Sequence, residues 1–123
     1  MLNNEGSAST PVIVLNPVSA ANTAAATSGW IDVRAFEGEI EITQHIGAVT
    51  GSITGAIEDA TDGSGTGAAA LTGAAFTVVS SANNIQKLAI NASQPRGWIR
   101  YVGTIVTGPA LAAVSLRGRN KYT

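Results

Sequence analysis

The sequence predicts an all-β fold: an antiparallel β-sandwich of about eight strands, jelly-roll-like, or Ig-like in the alternative, with an extended N-terminal arm. Three observations predict it. The large apolar residues are mostly β-branched, 11 Ile and 10 Val against 6 Leu and 1 Met, and such residues favour strands over helices. Short apolar runs alternate with polar residues at a period of two, the mark of a strand with one buried face. Gly, Pro, Asn and Ser clusters punctuate these runs at roughly even spacing, as in sandwiches and barrels.

Residues 1–10 are small and polar and read as a flexible arm. Residues 11–123 read as one sandwich domain that includes a basic C-terminal tail. The first strand is Val12–Leu15, set between Pro11 and Pro17, which suit strand ends or an edge. Residues 18–28 carry Ala but no apolar stripe, so they read as an extended loop. Gly29–Phe36 alternates, with Trp30, Asp32, Arg34 and Phe36 on one side and Ile31, Val33 and Ala35 on the other. Glu37-Gly38 reads as a turn. In the strand that follows, Ile40, Ile42 and Ile46 point inward while Glu39, Glu41 and Thr43 point out.

Residues 52–59 form a weaker strand with a bulge or close contact at Gly55. A Gly-rich loop over 60–70 leads to a strand at Ala75–Val79. After a turn at 80–84, Ile85, Leu88 and Ile90 mark another strand, broken by Ser93–Gly97. Trp98–Val106 is a long strand with Ile99, Tyr101, Gly103 and Ile105 on one face. Gly108-Pro109 turns the chain into the last strand, Leu111–Leu116. Arg117–Tyr122 reads as the basic tail.

Composition narrows the function classes. The chain has 123 residues, the size of one domain, and no cysteine, which removes disulfides, thiolate zinc sites and a Cys nucleophile. With one histidine it has no poly-His metal site of its own. The net charge of −1 gives no reason to expect nucleic acid as a partner. No basic and apolar leader is visible at residues 1–10, and no apolar run is long enough to cross a membrane as a helix. Nearly half the residues are Ala, Gly, Ser or Thr. The core per residue is therefore thin, which favours support from oligomerisation or a partner surface.

All eight acidic residues lie in residues 1–62, and six of the seven basic ones lie in 63–123. Either strands from the two halves neighbour one another and pair their charges, or two patches of opposite sign meet between molecules. Other constellations favour structural readings. Gly63-Ser64-Gly65-Thr66-Gly67 lacks the Lys-Ser/Thr of a phosphate loop and reads as a flexible hairpin tip. Asp59, Asp62 and Ser64 do not have EF-hand spacing. Glu39 and Glu41 share a strand face, and His45 stands near them, but no nucleophile motif surrounds them. Asn91-Ala92-Ser93 is a sequon by chance. Trp30 and Trp98 read as core or interface aromatics, with a sugar-stacking platform as the competing reading.

The block Gly29-Trp30-Ile31-Asp32-Val33-Arg34-Ala35-Phe36-Glu37-Gly38, the Gly/Ala-rich middle, the strand Trp98-Ile99-Arg100-Tyr101-Val102 and the ending Ser115–Tyr122 resemble small structural proteins of tailed bacteriophages. Among these, the chain is most similar to head decoration (cement) proteins. The likeness runs from about residue 12 to the end. It implies a β-rich protein without enzymatic activity or cofactor. It implies a homotrimer on the capsid surface of a virion, made in the host bacterial cytoplasm. The implied partner is the phage's own major capsid protein, with no nucleic acid or membrane involved. Tail-tube and head–tail adaptor subunits share this composition and are the alternatives, with a carbohydrate-binding module as a third. The candidate partner-contact residues are Trp30, Arg34, Glu39, Glu41, Arg96, Trp98, Arg117 and Arg119.

Overall fold

The computed structural model describes residues 9–120. Eight strands occur in them: β1 (Ser9–Ala20), β2 (Ile31–Asp32), β3 (Phe36–Val49), β4 (Ser52–Ala60), β5 (Ala69–Ala75), β6 (Asn84–Asn91), β7 (Trp98–Val106) and β8 (Ala110–Asn120). They form two four-stranded sheets, ordered β1-β8-β3-β6 and β2-β7-β4-β5. All strand pairs are antiparallel. First pairs with last, second with seventh, third with sixth and fourth with fifth. That is a long hairpin rolled on itself, the jelly roll, and not the Ig order.

Period-two alternation builds the core. Ile40, Ile42 and Ile46 of β3 face Ile53 and Ile57 of β4 and Ile99 and Tyr101 of β7, with Val114 and Leu116 of β8 beside them, all buried. Gln44 continues the inward row of β3 and is wholly buried. Gly55 and Gly103 lie opposite each other in β4 and β7. A side chain at Gly55 would collide with Gln44 and with the Tyr101 ring, so this glycine is where the two larger residues fit.

Several boundaries depart from the sequence reading. The first strand runs on through Val18–Ala20, which pairs with Ala112–Ala110. The loop expected from residue 18 therefore starts at 21, and its one turn is closed by Ala26 N–H donating to Asn22 O. Ser9 and Thr10, expected in the arm, pair with Arg119 and Gly118; residues 1–8 of the arm lie outside the described residues. The alternation over 29–36 holds as a strand only at Ile31–Asp32. The Asp32 carboxylate accepts the Arg34 N–H at 2.9 Å and bends the chain, which lets Val33 and Phe36 both enter the core.

Glu37-Gly38 is not a turn between strands. It lies within β3, where the register against β8 slips between Glu37 and Glu41 and Gly38 takes a φ of 72°, a bulge. The strand expected at 75–79 lies earlier, at Ala69–Ala75. Here backbone pairing to β4 outweighs side-chain pattern, while Phe76 and Val79 are spent as core anchors. The expected basic tail is β8 itself, paired on both sides as far as Arg119; Lys121 and Tyr122 lie outside the described residues.

Candidate functional site

The expected contact residues fall into two groups on opposite faces. On the second sheet, Gly29-Trp30-Ile31 leads into β2 and Gly97-Trp98-Ile99 into β7, with Ile31 opposite Ile99 and Asp32 opposite Trp98. The two Gly-Trp-Ile tripeptides therefore meet within one sheet, at Ile31 and Ile99. This pairing places each tryptophan beside a charged residue of the other strand.

The Arg100 guanidinium stands 4.7 Å from the Trp30 ring centroid, and its Nε donates to Glu58 Oε1 at 2.8 Å. The Arg34 guanidinium stands 5.4 Å from the Trp98 centroid. Arg34 donates from Nε to Asp32 Oδ1 at 2.9 Å and from Nη2 to Oδ2 at 2.7 Å. This two-pronged contact holds the Asp32 carboxyl below its usual range. Each arginine is thereby fixed by a carboxylate and laid on an aromatic ring, an arrangement that attracts through the ring quadrupole.

Arg96 completes the group. Its backbone N–H and Nε donate to Asp59 Oδ2 at 3.0 and 3.1 Å, and its Nη2 donates to Asp59 Oδ1 at 3.1 Å and to Gly67 O at 2.6 Å. Asp59 is buried. Its hydrogen bonds from Arg96 hold the carboxyl below the ordinary value, against a smaller opposing effect of desolvation.

The 61–68 segment, expected as a flexible tip, is fixed. Asp62 Oδ1 accepts N–H bonds from Ser64 and Thr66 at 2.9 and 3.1 Å, and Oδ2 accepts the Thr66 hydroxyl at 2.6 Å. The Thr66 hydroxyl contributes most to holding the Asp62 carboxyl low. A Cβ at Gly63 would stand 3.1 Å from Trp98 Cζ3, at Gly65 2.8 Å from Trp30 Nε1, and at Gly67 3.1 Å from Arg96 Nη1. The three alternate glycines therefore let the loop lie close against both tryptophans and Arg96. Asp59 and Asp62 spend their oxygens on Arg96 and on the loop, and neither tryptophan is an open stacking platform.

Glu39, Glu41, Arg117 and Arg119 lie on the outer face of the first sheet. Arg119 meets Glu37 at 3.8 Å and Lys87 meets Glu41 at 3.8 Å. Arg117 is opposite Glu41 in register, and Glu39 opposite Asn91. The split of charge along the sequence is therefore resolved largely by pairing between neighbouring strands, and by Asp59 with Arg96. Sequence reading missed Glu58, Arg100 and Asp59 as members of the tryptophan group. Register knowledge was needed, because Glu58 and Arg100 are 42 residues apart. The doubled Gly-Trp-Ile was the available signal.

No protein-family model matches the chain, and no curated protein matches it. Among solved structures it is similar to the SPBc2 prophage-derived protein YomS, with 14% identity over 89% of this chain and 93% of that one and a TM-score of 0.54. It is similar to the infectious bursal disease virus VP2 subviral particle, with 13% identity over 89% of this chain and 31% of that one and a TM-score of 0.50. The isomalto-dextranase of Arthrobacter globiformis T6 complexed with panose also contains the fold, with 9% identity over 89% of this chain and 23% of that one and a TM-score of 0.52. The eight-stranded sandwich is thus shared with a prophage-derived protein along nearly its whole length, and with parts of a viral VP2 protein and of an isomalto-dextranase.

Proposed function

We propose that this chain is a non-enzymatic phage virion protein that docks on the head surface as a homotrimer and braces neighbouring capsid subunits. The observation that supports it best is a jelly roll whose extent is that of a prophage-derived chain and whose exposed end carries a fixed tryptophan–arginine surface. Tryptophan and arginine are the residue types that concentrate contact energy at interfaces. Held by Asp32, Glu58 and the 61–68 loop, they lose little freedom on binding. Repeated by symmetry over a shell, modest contacts of this kind add to firm attachment.

The test is co-sedimentation of the purified chain with phage heads stripped of it. Saturable binding that falls when Arg34 and Arg100 are both replaced by Ala supports docking through this surface. Absence of binding to heads, or assembly of the chain into tail-like tubes, contradicts it.

A further inference from the structure

Carboxylates in the tryptophan–arginine group have committed their oxygens, while the arginines and tryptophans keep donors free. Asp32 and Asp59 accept on both oxygens from Arg34 and Arg96, and Asp62 accepts on both from its own loop. Glu58 Oε1 accepts from Arg100 Nε at 2.8 Å and stands 2.7 Å from its Nη2. Of these four carboxylates, only Glu58 Oε2 has no donor among the described residues. The donors are less fully used. Each guanidinium carries five N–H groups. Arg34, Arg96 and Arg100 turn Nε and Nη2 to their carboxylates. Both Nη1 hydrogens of each find no acceptor among the described residues, and the three side chains are 66%, 42% and 30% exposed. Neither indole N–H, of Trp30 or of Trp98, donates to a described residue, and neither is sealed from the surface.

These donors share one patch. The loop passes Trp98 at Gly63, Trp30 at Gly65 and Arg96 at Gly67, and that length of chain spans at most about 14 Å. Arg34 stands over Trp98 and Arg100 over Trp30. The donor excess brings no excess of positive charge, because three arginines face four carboxylates.

The chemistry of the partner follows from that imbalance. Carboxylates or phosphates would bring more negative charge to a group with no positive surplus, and would lose their water to do so. Neutral oxygens satisfy the same donors without that penalty, through bonds strengthened by the guanidinium charge. A sheet edge alternates C=O with N–H, and its N–H groups would meet few open acceptors here. The last turn of a helix presents four unpaired C=O groups within a cylinder about 10 Å across. Its partial negative charge favours a guanidinium. We propose that this surface takes up the unpaired peptide carbonyls at the C-terminal turn of a partner helix. The inference rests on the docking reading above and names the chemistry that docking would use.

Binding of the full chain to phage heads stripped of it tests the proposal, measured by co-sedimentation from about 50 to about 500 mM salt. Neutral acceptors predict an affinity that changes by less than about threefold over that range. R34K combined with R100K keeps both charges but loses the planar donors, and should weaken binding by about tenfold or more. K87Q removes a cation from the other sheet and should leave binding unchanged. Circular dichroism checks that the variants fold, and the salt series needs no variant. Electron cryomicroscopy of the decorated heads should place the last turn of a helix against Arg34 and Arg100. Affinity that falls more steeply with salt, a lysine pair that binds as tightly as the unaltered chain, or carboxylates or a sheet edge against the arginines overturns the proposal and leaves docking intact. Heads that bind none of the chain at any salt end the docking reading and this inference with it.

Discussion

The Tyr101 hydroxyl donates a 2.5 Å hydrogen bond to Gln44 Oε1 between the two sheets. Both side chains are fully buried, so a polar contact ties β3 to β7 between the apolar rows of the two sheets. Gln44 Nε2 has no partner among the described residues. Burial pushes the Tyr101 hydroxyl's pKa far up, so it stays a donor throughout the ordinary pH range.

Replacing Tyr101 by Phe leaves both polar ends of Gln44 unpaired in the core. The expected cost is about 1–3 kcal/mol of unfolding free energy, read from urea denaturation. Adding Gln44→Leu to Y101F removes the orphaned amide and should recover much of that loss. If the double variant is as unstable as the sum of the singles, the two residues do not act as a pair.

Asp59 gives the fold an acid dependence. The hydrogen bonds from Arg96 hold its folded pKa below that of an ordinary carboxylate, so its contribution is fully present above the ordinary value and is lost as pH falls through the folded one. Stability measured between neutral and strongly acid pH should fall less steeply in Asp59→Asn than in the unaltered chain. The substitution should also cost about 1–3 kcal/mol at neutral pH, since Arg96 loses a charged partner. An unchanged acid slope contradicts the assignment.

The glycine loop is tested at Gly65. Its φ of 85° and its closeness to Trp30 Nε1 both oppose a side chain. Gly65→Ala should cost about 1–2 kcal/mol for the left-handed backbone alone. It should also shift the tryptophan fluorescence by lifting the loop from Trp30. Gly73 has a φ of 78° but open space around it, so Gly73→Ala should cost stability without changing that fluorescence.

The parts of the fold set by side-chain alternation were legible in the sequence. β7 has the bounds that period two assigns to it, and Ile40, Ile42 and Ile46 face inward as their spacing requires. What side chains do not encode was not legible. β5 is an Ala-rich edge held by backbone pairing, and Arg117 and Arg119 look like a tail until β1 and β3 flank them. Strand order arises from long-range closure, so an Ig-like arrangement stood open as the alternative to the jelly roll. For the candidate site, Trp30, Arg34, Arg96 and Trp98 were named one by one as contact candidates. Their grouping depended on the Ile31–Ile99 register, and the other four proved to lie on the opposite face.

The central claim is that this sandwich works by docking onto a viral head. Electron cryomicroscopy of virions produced with this chain present tests it most directly. The account predicts eight-stranded density on the outer face of the head, in symmetric clusters, with Trp30 and Trp98 turned toward capsid subunits. Density confined to the tail, or heads with none of this chain on them, would contradict it.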